Sequence, residues 1–289
     1  MPILALTFDV FGTLTDPRGS IAAEGRRLVP DREVDWAGLA DAWADAYGDY
    51  LEARRGWLNL DLMLASAFHR LAPRFGLSGL PLPVELELST AWSRLRAWPD
   101  ALEGLRALEG STRLAALTNA NAAMLESLRA SSGLPFDALL SAERVQAYKP
   151  DPKVYRMACD ALGLRPEEIC MVASHAFDLD AAKRQGLMTA LIVREHGSRP
   201  SELKHEADFV VGSAVELAEA VRPRIGLDPD PAAVRDEFNR LKVHDVDSWR
   251  VEWRPFGNWR LRAAGAAWTV VLDDAMRVLE AWKARGAAS

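Results

Sequence analysis

Four short polar clusters in this chain follow runs of apolar residues, and each holds side chains able to move a proton or bind an anion. Asp9 and Thr13 lie in FDVFGTLTD, Thr118 and Asn119 in LTNAN, Lys149 in AYKPDP, and Ser174, His175 and Asp178 in VASHAFDL. A carboxylate can act as nucleophile if a neighbouring cation keeps it ionised, and Lys149 is the candidate partner for Asp9. A second carboxylate such as Asp178 can position or deprotonate water, and an imidazole such as His175 suits the same task near neutral pH. Hydroxyl, amide and backbone N–H groups around Thr13, Thr118, Gly12 and Asn119 can hold a substrate carboxylate. Each residue alone also has a plainer reading. An aspartate or threonine at a strand end caps a helix, a lysine commonly sits on the surface, and a histidine often serves as a structural hydrogen-bonding group.

What would bring these clusters together is a parallel sheet. Ile3 to Phe8 is an apolar run of strand length that stops at Gly12 and Thr13, as where a buried strand ends in a tight loop. From about Val34 to Trp98 the apolar spacing turns helical, with Trp36, Leu39, Trp43, Tyr47, Tyr50 and Leu51, then Leu60, Leu64, Phe68 and Leu71, which predicts an inserted all-helical unit. Pro99 restarts a helix through Leu108. Strand and helix signals then alternate: Leu114 to Leu117, Ala122 to Leu128, Pro152 to Leu162, Ile169 to Val172, Asp178 to Gln185, Thr189 to Val193, Asp208 to Val211 and Ala214 to Val221. Such alternation predicts an α/β fold with a doubly wound parallel sheet, whose ligands bind beyond the carboxyl ends of the strands. All four polar clusters fall at such ends.

The expected organisation is a core of residues 1–15 and 98–224, a helical cap of 16–97 and a C-terminal α+β extension of 225–289. GLDPDP, Gly226 to Pro231, reads as a linker. The extension holds five of the ten tryptophans, its PFGN segment (Pro255 to Asn258) resembles a hairpin turn, and a helix from Asp273 to Ala284 is expected to finish it. Aromatic clusters usually serve cores and interfaces, so packing is the expected role of this tail, with a homodimer contact as an open alternative.

Bulk properties exclude several function classes. The chain has 289 residues, nearly half of them apolar, and a formal charge of −6, which argues against a general nucleic-acid binder. No apolar run approaches the roughly 20 residues that span a bilayer, and MPILALTF reaches Asp9 without a preceding basic segment, so a cytoplasmic protein without membrane contact is expected. The two cysteines, Cys159 and Cys170, suit neither a disulfide framework nor a CxxC metal site.

In order and in placement at strand ends, FDVFGTLTD, LTNAN, YKPDPKVY and VASHAFDLDAA resemble the four motifs of the haloacid dehalogenase superfamily, over roughly residues 3–222 and including a helical cap after the first strand. Within it the chain is most similar to the type II L-2-haloacid dehalogenases. The resemblance implies that Asp9 displaces halide from a small anionic 2-haloacid, giving an ester that water hydrolyses, with no cofactor and no metal. It implies catalytic roles for Asp9, Thr13, Lys149, Asp178 and His175, and substrate contacts from Phe11, Thr118, Asn119, Ser174, Phe177 and Tyr155. Asn119 and Phe177 match the halide cradle. Its third member, a cap arginine, is missing: the matching position holds Ala44, with Arg54 and Arg55 the nearest replacements. Ala173 stands at a serine position and His175 at an asparagine position. Phosphatase members of the superfamily carry a second aspartate two residues after the nucleophile, where this chain has Phe11.

Overall fold

The computed structural model describes residues 3–53, 56–194 and 206–225 and four later strands, 249–253, 259–263, 268–272 and 278–283. The first strand, β1 (Ala5–Phe8), is buried along its whole length. A short strand β2 (Thr15–Asp16) follows the loop, then helices α1 (Pro17–Leu28), α2 (Trp36–Glu52), α3 (Leu60–Leu71) and α4 (Leu82–Ser89), and a short strand β3 (Arg96–Ala97) that pairs antiparallel with β2. The helical insert therefore leaves and rejoins the core through one two-stranded stalk. Next come α5 (Pro99–Arg106), β4 (Arg113–Thr118), α6 (Ala122–Ser132), β5 (Ala138–Ser141), α7 (Pro152–Leu162), β6 (Ile169–Ala173), α8 (Ala176–Arg184), β7 (Met188–Ile192), β8 (Phe209–Val211) and α9 (Ala214–Val221).

The main sheet has six parallel strands in the order β5-β4-β1-β6-β7-β8. The chain runs outward from β1 through β4 and β5, then crosses back to β6 on the other side of β1. That reversal puts a crevice at the carboxyl ends of β1, β4 and β6, where a doubly wound sheet binds ligands. Successive residues point to opposite faces. Leu6, Phe8, Leu114 and Ala116 join α5, α6, α9 and the insert in one apolar cluster, while Ala5, Ala115 and Leu117 join α7 and α8 in the other. Trp43, buried and donating from its indole to the Leu64 carbonyl at 2.9 Å, ties α2 to α3 inside the first cluster.

Local chemistry fixes the helix starts that matter for the site. Asp151 caps α7 by accepting from the Lys153 N–H, Pro152 occupies the first turn where its missing N–H costs nothing, and Gly163 ends the helix in the left-handed region. β5 has no counterpart in the sequence reading; it is the sheet's edge and only its last two residues are buried.

The last four strands, β9 (Trp249–Trp253), β10 (Trp259–Ala263), β11 (Trp268–Leu272) and β12 (Val278–Lys283), form an antiparallel meander in the order β12-β11-β10-β9. β9 and β10 flank the expected turn at 255–258, which itself lies outside the described residues, as does the expected linker at 226–231. Of the helix expected from Asp273 to Ala284, the described part, Val278–Lys283, is β12; the rest lies outside the described residues. Leu279, Glu280, Ala281 and Lys283 are good helix formers, but the ladder to β11 supplies the backbone partners instead.

Candidate active site

β1 ends at Phe8, and Asp9 starts the loop that turns through Gly12, whose φ of +76° is a conformation open to glycine at little cost. This tight turn brings Thr13 back beneath Asp9. Thr13 Oγ1 donates to Asp9 Oδ2 at 2.8 Å and accepts from the Ser174 N–H at 2.9 Å, which links the ends of β1 and β6.

Lys149 reaches the same point from the loop before α7. Its Nζ donates to Asp9 Oδ1 at 3.2 Å and to Asp178 Oδ2 at 2.7 Å, and all three side chains are buried. Tyr155 on α7 donates to the other Asp178 oxygen at 2.6 Å. Burial on its own would lower the Lys149 ammonium, but the carboxylates of Asp178 and Asp9 outweigh it and hold the group above its ordinary range. Asp178 moves up as well: burial disfavours its charge, the Asp9 carboxylate adds to this, and Lys149 opposes both. One cation thus serves two carboxylates of unequal surroundings.

Asn119 follows β4, and its side chain is engaged at both ends. Its Oδ1 accepts from the Lys149 backbone N–H at 2.7 Å, and its Nδ2 donates to the Tyr47 hydroxyl of α2 at 2.9 Å. Burial, the foremost cause, pushes the Tyr47 phenol well above its usual range, with the charges of Asp9 and Asp178 adding to the effect while the Asn119 hydrogen bond works against it. The insert is pinned to the core again where Asn121 Nδ2 donates to Asp61 and where Tyr148 donates to the Leu58 carbonyl.

The structure gathers Asp9, Thr13, Lys149, Asp178, Asn119 and His175 in one place, and it shows what the other expected residues touch. Tyr155 is fully buried and its hydroxyl is committed to Asp178. Phe11 is buried with its ring edge-on to Tyr47 and Trp92 at centroid distances of 6.3 and 5.3 Å, a packing role. Thr118 is buried and its hydroxyl accepts from the Ala120 N–H at 3.3 Å, which shapes the turn after β4. The Ser174 hydroxyl is buried without a hydrogen-bond partner among the described residues, and the residue's backbone N–H donates to Thr13. Phe177 is 45% exposed and stacks on His175 at 5.8 Å, so its ring faces the imidazole. His175 Nε2 lies 3.2 Å from the Phe11 carbonyl and 3.8 Å from Asp9 Oδ2. A carbonyl only accepts, so this contact requires a proton on Nε2. Ala44 is exposed and offers no polar group. Arg54 and Arg55 lie outside the described residues.

Tyr47 is legible in the sequence as an aromatic of the cap that bears on pocket width, but not as a partner of Asn119, although a hydroxyl-bearing ring at such a position generally needs one. One residue of the site carries no signal in the sequence. Arg194, after β7, donates from Nε to the Thr13 carbonyl at 3.0 Å and from Nη1 to both oxygens of Asp100 at 2.8 and 2.9 Å, bracing the loop of Asp9 and Thr13 from behind.

A model of the haloacid dehalogenase-like hydrolase family matches residues 3–186. The chain is 32% identical over 220 residues to an (S)-2-haloacid dehalogenase 4A of Burkholderia cepacia, covering 71% of this chain and 90% of that one. It is 28% identical to a phosphoglycolate phosphatase of Nitrosospira multiformis, over 77% of this chain and 97% of the relative. Among solved structures, an L-2-haloacid dehalogenase superposes with a TM-score of 0.70 at 34% identity, covering 76% of this chain and 98% of its own. Among the described residues no helix is long and apolar enough to cross a membrane.

Proposed function

This chain belongs to the haloacid dehalogenase-like hydrolases, and from that premise we propose that it cleaves the carbon–halogen bond of a small 2-haloacid with Asp9 as the nucleophile. The observation that carries the reading is the bridge of Lys149 Nζ between Asp9 and Asp178, in a site where Phe11 stands two residues after the nucleophile. A phosphoryl leaving group calls for an acid at that place; a halide leaves as an anion and needs no proton.

In the first step an Asp9 oxygen attacks the α carbon, the C–O bond forms as the C–halogen pair departs with the halide, and the carbon inverts. In the second, water adds to the Asp9 carbonyl carbon and the acyl C–O bond breaks; one proton of the water passes to the departing alkoxide oxygen of the 2-hydroxyacid and the other is released as Asp9 regains its carboxylate. Asp178 is the group suited to take the first proton and pass it on, since burial, the largest cause of its raised pKa, persists in the ester. Tyr155 and Lys149 fix its plane. His175, with its proton committed to the Phe11 carbonyl, shapes the loop instead of serving as base through Nε2.

The phosphatase relative gives a second reading, and one experiment separates the two. Halide release is measured with chloro- and bromoacetate and both enantiomers of 2-chloropropionate, with EDTA and with Mg²⁺, beside p-nitrophenyl phosphate. Halide and inverted 2-hydroxyacid in the presence of EDTA are expected. Turnover of the phosphate ester restored by Mg²⁺, without halide release, would establish the phosphatase.

A further inference from the structure

Where α2 of the insert meets Asn119, the site has a hydroxyl that the sequence motifs do not supply. Lys149 N–H donates to Asn119 Oδ1, and Asn119 Nδ2 donates to Tyr47 Oη, so the phenol oxygen is already an acceptor while its O–H is not used by any hydrogen bond among the described residues. We propose that the Tyr47 hydroxyl donates to the departing halide, a neutral donor from the insert in place of a guanidinium; this rests on the dehalogenase reading. Ala44, one turn earlier on α2, brings no charge or polar group.

Three features of the molecule fit that role. The Tyr47 ring is held edge-on by Phe11 and Trp92, both buried, so the hydroxyl is placed by packing and not by a flexible stem. Accepting a bond from Asn119 polarises the phenol and strengthens the bond that its own O–H gives, as in other hydrogen-bond chains. The raised phenol keeps its proton through the whole working pH range, so Tyr47 donates a hydrogen bond without transferring a proton, and the halide leaves with the C–halogen electron pair. Asn119 is then the middle of a relay from the Lys149 backbone and offers the halide at most its second amide hydrogen.

The test uses Tyr47→Phe, with Tyr50→Phe as control; Tyr50 lies on the same helix but donates to the Gly56 carbonyl. Steady-state halide release from 2-chloro- and 2-bromopropionate is measured together with bromide binding, read by anomalous scattering from crystals soaked in sodium bromide. Tyr47→Phe is expected to lower kcat for chloride by about ten- to hundredfold, the span for one hydrogen bond to a charged group, and to lower bromide turnover less, because the better leaving group needs less help. The bromide ion should sit within hydrogen-bond distance of Tyr47 in the parent and be lost in the variant. Equal chloride and bromide losses, or unchanged kcat, would overturn the role of Tyr47 while the dehalogenase reading stands. No halide release by the parent together with bromide bound at Tyr47 would sustain the halide site and remove the reading. Neither release nor binding would remove both.

Discussion

Replacing Lys149 by Met tests the centre of the site, because it deletes one charge and keeps most of the side-chain volume. Nζ lies 2.7 Å from Asp178 and 3.2 Å from Asp9. At an effective dielectric of ~20 these separations correspond to roughly 6 and 5 kcal/mol of gross attraction. Desolvation of the three buried groups takes back much of it, and removing one partner of a buried pair typically costs about 3–5 kcal/mol net. At ~2–4 °C per kcal/mol for a domain of this size, the melting temperature should fall by ~6–20 °C. The sign of the pH dependence follows from the remaining carboxylates. With no cation between them the folded state takes up a proton that the unfolded state does not hold, so the stability deficit should shrink as pH falls from 8 to 5. In the parent, Lys149 contributes stability that is fully present below the ordinary lysine range and is lost as pH rises through its raised value. Scanning fluorimetry across pH, with halide release on the same samples, checks both; turnover should drop by at least about a hundredfold, as for loss of a preorganised charge partner. A deficit that does not vary with pH, or turnover within tenfold of the parent, would refute the shared-cation argument.

Asp9→Asn should abolish turnover with the fold intact, and single turnover of the parent in heavy-oxygen water should label Asp9 before product; label found only in the product would exclude the ester. Tyr155→Phe removes the 2.6 Å bond to Asp178 and should slow ester hydrolysis by about ten- to hundredfold, with a covalent adduct on Asp9 accumulating in mass spectra; an adduct level equal to the parent's would deny Tyr155 its positioning role. His175→Ala should reduce halide release and ester hydrolysis by similar small factors, since the ring supports the Phe11 turn; selective accumulation of the ester would return His175 to the role of base.

The sheet and the place of Asp9 at the end of its first strand were legible in the sequence because their signals are local. A continuous apolar run that stops at Asp9 and Gly12 reads as a buried parallel strand and its loop, and the α7 start is written in Asp151 and Pro152. β5 was not legible, since ALLS at a half-exposed sheet edge has neither alternation nor a long apolar run. β12 read as helix for the opposite reason: its residues favour helix locally, and only pairing with β11 overrules them. Within the site, residue types marked the clusters that the structure brings together but not which atom faces which. The sequence could not show that the register of α7 puts the Tyr155 hydroxyl on Asp178, nor that the Tyr47 hydroxyl on α2 meets the Asn119 amide.

On the proposed reading, the charges at the site also order the two steps. In the resting protein one ammonium faces two carboxylates, and the surplus negative charge, with burial, holds Asp178 above its ordinary range. No base is needed while Asp9 attacks carbon. Formation of the ester removes the Asp9 charge, and the halide carries it away. Of the two causes that raised Asp178, only burial then remains, and Lys149 faces one carboxylate in place of two. Asp178, held by Lys149 and Tyr155, is in place when water must lose a proton. Hydrolysis restores Asp9 and with it the second carboxylate on Lys149, so one cation serves the nucleophile in the first step and the base in the second, and no movement of the backbone is required for the change of role.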